Sequence, residues 1–303
     1  MAEDKTGTAV ALAGSSVVLE AGRTRRVPMP FNDLRDAALL VEETGYEALF
    51  VPDHGVWEPF PLLAALAQRT ERIEVGTGVV TMTSRDAGTM AAAARTLSQV
   101  SDGRAILGVG SGPEGRVARV EQYLSEVRQG TGDIPLYLAA LGPRMMEAAG
   151  RVADGVLLNW CTPERVAHAV DLLKEGGRRV AVAVYVRACL GHEDETSLAA
   201  LGEATAMYAG IPGYRRQFEA MGLGPPAAAA AEAFASGHLD RVPEDLVREV
   251  CVWGTRDQAA DRLRAYRGAG ADLVVVYPVP AREPLSSLMG TIMAAAPNPA
   301  VEH

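Results

Sequence analysis

The chain has 303 residues, 48% of them hydrophobic and 22% charged, so it can bury a core and is neither disordered nor fibrous in composition. With 29 Lys and Arg against 38 Asp and Glu, the formal charge is −9, the wrong sign for condensing on nucleic acid or anionic lipid. Three cysteines, Cys161, Cys189 and Cys251, form neither a disulfide framework nor a zinc knuckle. The N-terminal stretch has no signal-peptide pattern, and no apolar run approaches a membrane span, which points to a cytoplasmic protein.

Taken in chain order, short runs rich in Val, Ile and Leu alternate with amphipathic stretches. Strands are predicted at 8–14, 48–53, 73–80, 105–110, 134–140, 155–159, 180–188 and 273–277. Helices are predicted at 32–44 after an Asn cap, then at 59–70, 86–100, 116–128, 144–153, and at 163–175 after a Thr162 cap. The alternation breaks between 193 and 250, where helical patterns replace the strand and an Ala run at 227–231 follows Pro225 and Pro226. A helix at 256–266, capped by Thr255, leads to the last strand, and a helix at 284–294 closes the chain. Eight βα units in order, joined by right-handed crossovers, make an α/β chain that closes into a single (β/α)₈ TIM barrel over 1–303, with a helical insertion at about 193–250 after the seventh strand.

A barrel carries its chemistry at the C-terminal ends of its strands. The second strand ends in Asp53 and His54, followed by Trp57, so a carboxylate and an imidazole that titrates near neutrality lie at the mouth. His54 is the proton-transfer candidate, with Asp53 to orient it and Glu114 as a second candidate. The third strand ends in Gly76, Thr77, Gly78 and Val79, and the fourth in Gly108, Val109, Gly110, Ser111 and Gly112. The fifth runs through Leu141, Gly142, Pro143 and Arg144 into a helix start. Glycines let a ligand approach the backbone, and a helix N-terminus favours an anion, so these ends read as walls of a cofactor site. The glycines at 108–112 lack the spacing of a dinucleotide fingerprint. No His or carboxylate pair has metal-ligand spacing, and Ser111 lacks the surroundings of a nucleophile elbow.

The segments EALFVPDH (47–54), AQRTERIEVGTGV (67–79), GRAILGVGSG (103–112) and IPLYLAALGPR (134–144) resemble the bacterial luciferase-like superfamily, in order as well as in kind. AGRVADGVLLN (149–159) and VWGT (252–255) look most like the branch that uses the deazaflavin coenzyme F420, which includes methylenetetrahydromethanopterin reductase. The resemblance implies a barrel holding a flavin or deazaflavin at its mouth, a small-molecule substrate and a homodimer. It also implies a cis peptide at Gly78-Val79, with Asp53, Thr77, Gly78 and Val79 against the ring. Gly110, Ser111, Gly112, Leu141, Gly142, Pro143 and Arg144 would hold the phosphate end, and Asn159 and Trp160 would line the mouth. The reaction implied is hydride transfer between F420 and a small organic substrate. The rivals are an FMN-dependent monooxygenase and a noncatalytic flavin- or deazaflavin-binding barrel. Two features depart from the pattern: stretch 8–14 has no acidic residue, so the first-strand proton donor of the methanogen reductases is not carried over. About twenty residues join the fourth strand to the fifth, fewer than in many of the flavin monooxygenases.

Overall fold

The computed structural model describes residues 7–20, 23–112, 115–190, 195–281 and 283–298. The strands are β1 (Gly7–Ala11), β2 (Ser15–Glu20), β3 (Arg23–Pro28), β4 (Ala48–Val51), β5 (Glu74–Thr77), β6 (Val80–Thr81), β7 (Ala105–Gly110), β8 (Leu136–Ala139), β9 (Gly155–Asn159), β10 (Ala181–Leu190), β11 (Cys251–Gly254) and β12 (Leu273–Pro278). The helices are α1 (Phe31–Glu43), α2 (Pro59–Ala67), α3 (Ala87–Val100), α4 (Val117–Thr131), α5 (Pro143–Val152), α6 (Pro163–Glu175), α7 (Glu195–Ala209), α8 (Pro212–Ala220), α9 (Gly224–Ser236), α10 (Glu244–Val250), α11 (Arg256–Gly268) and α12 (Pro284–Ala294).

Strands β1, β4, β5, β7, β8, β9, β10 and β12 pair in parallel in that order, and β12 pairs back onto β1, closing the (β/α)₈ barrel. Side chains alternate along each strand. One set meets inside the barrel around Phe50, Ile106, Leu157, Tyr185 and Tyr277, while the other packs outward under the helices. The inner layers interdigitate large and small residues. A Cβ at Gly76 would stand 2.7 Å from the Phe50 ring, and one at Gly108 would stand 2.1 Å from the Thr77 carbonyl oxygen. Those two glycines are therefore demanded by interior packing.

Local chemistry explains most helix starts. Thr162 accepts from the Arg165 N–H, and Thr255 forms a full capping box with Gln258. The Asn cap expected for the first helix is corrected: Pro30 holds the cap position without a side-chain bond, and Asn32 lies inside the helix, accepting from Arg35 at 3.1 Å. Pro225 and Pro226 occupy the first turn of α9, where their missing N–H groups cost nothing, so they start a helix rather than break one.

Two features are absent from the sequence reading. Residues 15–28, for which no element is predicted, form an antiparallel β2–β3 hairpin, and Cys251–Gly254 adds a parallel strand beyond the barrel proper, paired with the long end of β10. Helices α7 to α10 pack around their own apolar cluster, with Phe218, Leu201, Ala206 and Leu246 buried and Trp160 and Cys189 reaching into it from the barrel side.

Candidate functional site

The C-terminal mouth of the barrel divides into a small-residue side and a polar aromatic side. Inward positions on β1, β7 and β8 and just past β1 are Ala11, Ala13, Gly110 and Ala139. On β9, β10 and β12 the corresponding positions carry Asn159, Tyr185, Arg187 and Tyr277. The register places Tyr185 opposite Asn159 and Arg187 opposite Tyr277.

Arg187 is the feature that sequence reading missed. It is 4% exposed, and its guanidinium carbon lies 4.1 Å from the centre of the Tyr277 ring, 4.8 Å from that of Trp160 and 5.2 Å from that of Tyr208. It donates to the Asn159 amide oxygen, while Asn159 Nδ2 donates to Tyr214 Oη at 2.8 Å. The available signal was a single charge at position 187 in an otherwise apolar ten-residue run, where a buried arginine is rare without a partner. Trp160, expected to line the mouth, is instead 1% exposed and packs beneath it, in the left-handed region at φ 54°. Gln217 Nε2 holds this turn by donating to the carbonyls of Asn159 at 2.5 Å and Trp160 at 2.7 Å.

His54 and Asp53 both reach the mouth, but their side chains diverge. His54 Nε2 lies 2.8 Å from Tyr277 Oη, whose strand β12 flanks β1 on the side opposite β4. Asp53 accepts from the Gly55 N–H at 3.3 Å and pairs with Arg85 at 3.8 Å. Arg85 also bridges to Glu58 and lies over the Phe60 ring at 5.3 Å. The described hydrogen bond of the imidazole is therefore to Tyr277, while the described partners of Asp53 lie in its own loop and on Arg85.

The third strand end is more tightly packed than a ligand wall would be. Thr77 is fully buried, and its hydroxyl bridges to β7, donating to the Gly108 carbonyl at 2.8 Å and accepting from the Gly108 N–H at 2.9 Å. That hydroxyl is spent between strands, so contact of the Thr77 side chain with a ring is not what the geometry offers. The Gly78-Val79 peptide is cis. A Cβ at Gly78 would stand 1.8 Å from Tyr185 Oη, so Gly78 makes room for the tyrosine. That hydroxyl is buried without a hydrogen-bond partner among the described residues, and burial pushes the phenol well above its ordinary value against the opposing charge of Arg187.

Gly110 is packed against Val79, while Ser111 and Gly112 are partly exposed at the end of β7. Leu141 and Gly142 are partly exposed, Pro143 and Arg144 are exposed, and nothing lies within 4 Å of where a Gly142 Cβ would stand. Gly142 is the N-cap of α5 with Pro143 in the first turn, so this end is open to an anion. Arg165, from α6, donates to the Leu141 carbonyl at 3.2 Å and adds positive charge there. Glu114 lies outside the described residues.

All three cysteines are free and buried, and burial pushes the Cys161 and Cys251 thiols up to about 12, which makes them packing groups rather than nucleophiles. Among the described residues no three His, Cys, Asp or Glu side chains converge as a metal site would require, and no helix is long and apolar enough to cross a membrane. Two surface clefts lie at the opposite end of the barrel. One is lined by Arg95, Gln99 and Asp133 and the other by Lys174, Arg178 and Asp272, away from the strand ends that carry the titratable cluster.

Set beside known proteins, the chain matches the model of the family described as luciferase-like monooxygenase over residues 10–121 and 114–273. It is 26% identical to a 5,10-methylenetetrahydromethanopterin reductase of Archaeoglobus fulgidus over 299 residues, covering 82% of this chain and 90% of that protein. It is 29% identical to the reductase of the same name from Methanolobus tindarius over 177 residues, 47% of this chain and about half (54%) of that protein. The solved coenzyme F420 dependent tetrahydromethanopterin reductase of Methanopyrus kandleri shares the fold, with a TM-score of 0.78 at 20% identity, covering 96% of this chain and 98% of that one.

Proposed function

The chain belongs to the luciferase-like monooxygenase family, and from that premise we propose that it is an F420-dependent oxidoreductase acting on a small organic substrate at a C=N or C=C bond. The observation that carries the reading is near-full-length similarity to a relative named as a 5,10-methylenetetrahydromethanopterin reductase. The mouth fits such a cofactor. Its small-residue side, with Ala11, Ala13, Gly110 and Ala139 inward, leaves room for a flat ring, and the open Gly142 at the start of α5 suits an anionic tail.

When bound, F420 supplies a hydride donor or acceptor at its C5, and the protein's part is orientation and electrostatics. Ser111, Gly112, Gly142 and Arg144 would hold the phosphate end, with Arg165 behind Leu141. His54 holds a proton position at Nε2, shared with Tyr277 Oη, on the polar side of the mouth. Asp53, locked to Arg85, keeps the loop carrying His54 in place. Tyr208 and Tyr214 on α7 and α8 cover this side and restrict water.

The family's description favours a second reading, an FMN-dependent monooxygenase. Anaerobic mixing of the purified chain with reduced F420 and a panel of imines and enones separates the two. The expected outcome is chain-dependent return of the visible absorbance of oxidised F420. Oxygen consumption with reduced FMN, and no turnover of F420, would sink the proposal.

A further inference from the structure

Charge at the mouth does not balance. Arg187 is buried, and its hydrogen-bond partners are neutral: the Asn159 amide oxygen and, at 3.5 Å, Tyr208 Oη. No carboxylate of the described residues forms an ion pair with it. Donors are in surplus around it, because Trp160 Nε1 is buried with no acceptor among the described residues. The three rings facing the guanidinium offset part of the desolvation of a full charge, but a buried arginine ordinarily has an anion beside it. The place is also suggestive. Arg187 stands at the C-terminal half of β10, level with Tyr277, whose hydroxyl meets His54, and two strands along the barrel from β8, which leads into the open α5 N-terminus. The partly exposed Tyr208 and Tyr214, with ring centres 4.9 Å apart and edge to face, separate Arg187 from solvent and form an aromatic entry.

We infer that Arg187 is the anchor for a carboxylate of the substrate, so that the enzyme takes a monoanionic carboxylic acid whose unsaturated or aromatic part lies among Tyr208, Tyr214 and Tyr277. This rests on the reading of the mouth as the substrate end of an oxidoreductase and names the substrate class for it. One guanidinium, with no lysine or second arginine of the described residues in contact, matches one negative charge. A phosphate dianion would be left under-neutralised. The planar fork suits a carboxylate in two-point contact, and Asn159 fixes the fork in place.

Calorimetric titration of the chain with benzoate, benzamide and inorganic phosphate, each with and without F420, tests this. Benzoate is expected to bind saturably, with benzamide and phosphate at least about tenfold weaker. Arg187→Gln is expected to lower benzoate affinity about 10- to 100-fold, the effect of losing a charge-assisted pair, while F420 affinity is retained. Asn159→Asp places a carboxylate of the chain itself against Arg187 and is expected to lower benzoate affinity at least about tenfold, which keeps the test decisive if Arg187→Gln does not fold. Absence of saturable benzoate binding, benzoate affinity unchanged in the variants, or phosphate binding as tight as benzoate would each overturn the inference. So would loss of F420 binding in a folded Arg187→Gln protein, which would assign the arginine to the cofactor. Benzoate binding without F420 binding supports this inference and removes the F420 reading, whereas F420 binding without benzoate binding does the reverse.

Discussion

His54 and Tyr277 meet at 2.8 Å from the two strands that flank β1, joining the end of the second strand to the end of the last. A proton at that contact can be held by either group, so both substitutions are informative. His54→Ala is expected to keep F420 affinity and slow single-turnover hydride transfer by about 100-fold or more, the usual scale of a lost acid–base group. Tyr277→Phe, which leaves the imidazole in place, is expected to slow it by about tenfold. Unchanged transfer in His54→Ala would remove the residue from the chemistry. Gly78 answers a different force. Its missing Cβ is space taken by Tyr185, so Gly78→Ala is expected to destabilise the fold by about 1–3 kcal/mol, measured as a lower denaturant midpoint. The strand-end glycines were legible as special positions, but not the reason for them. A sequence shows that a side chain is missing, and only the fold shows whether a ligand or a neighbouring residue fills the gap. The same limit hid the divergence of Asp53 and His54, which are neighbours in sequence with partners 32 and 223 residues away respectively.

At the scale of elements, the helical excursion after β10 supplies the Tyr208–Tyr214 wall beside the mouth. Its cluster is anchored by Phe218, fully buried, with its ring centre 6.5 Å from that of Trp160. Phe218→Ala is expected to cost about 3–5 kcal/mol and to loosen the Tyr208–Tyr214 wall, raising hydrogen exchange in α7 and α8 before the barrel strands. Elsewhere a single carboxylate ties α1 to the start of β5. Burial would raise the Glu42 carboxyl, but the N–H groups of Arg72, Ile73 and Glu71 donate to it and hold it below its ordinary value. A carboxyl lowered on folding stabilises above its unfolded pKa and loses that contribution as pH falls through the folded one. Glu42→Gln is therefore expected to cost of order 1 kcal/mol at neutral pH, solvent screening included, with the gap to the native chain closing in acid. Helix positions were legible because period and caps agree locally. The β2–β3 hairpin was not, although its pairing is local, because its polar run Arg23–Arg26 does not read as a buried strand, and β11 was not, because its partner β10 lies some sixty residues earlier in the chain.

Across the whole molecule, closure comes from the ends of the described chain. β12 pairs with β1, Tyr46 donates to the Ile292 carbonyl at 2.7 Å, and the Asn298 N–H donates to the Thr44 carbonyl at 3.2 Å. This order was legible because each buried strand reads as an apolar run and each helix as an amphipathic one, repeated without reversal. The molecule carries −9 overall yet is proposed to hold an anionic cofactor, and on the inference above an anionic substrate. Attraction must then be local, from the α5 start with Arg144 and Arg165 and from Arg187 two strands along the barrel. The most direct test of the central claim is equilibrium dialysis of the purified chain against F420 and, separately, FMN. Retention of F420 at one per chain, with FMN passing freely, is the expected result; retention of FMN without F420 would contradict it.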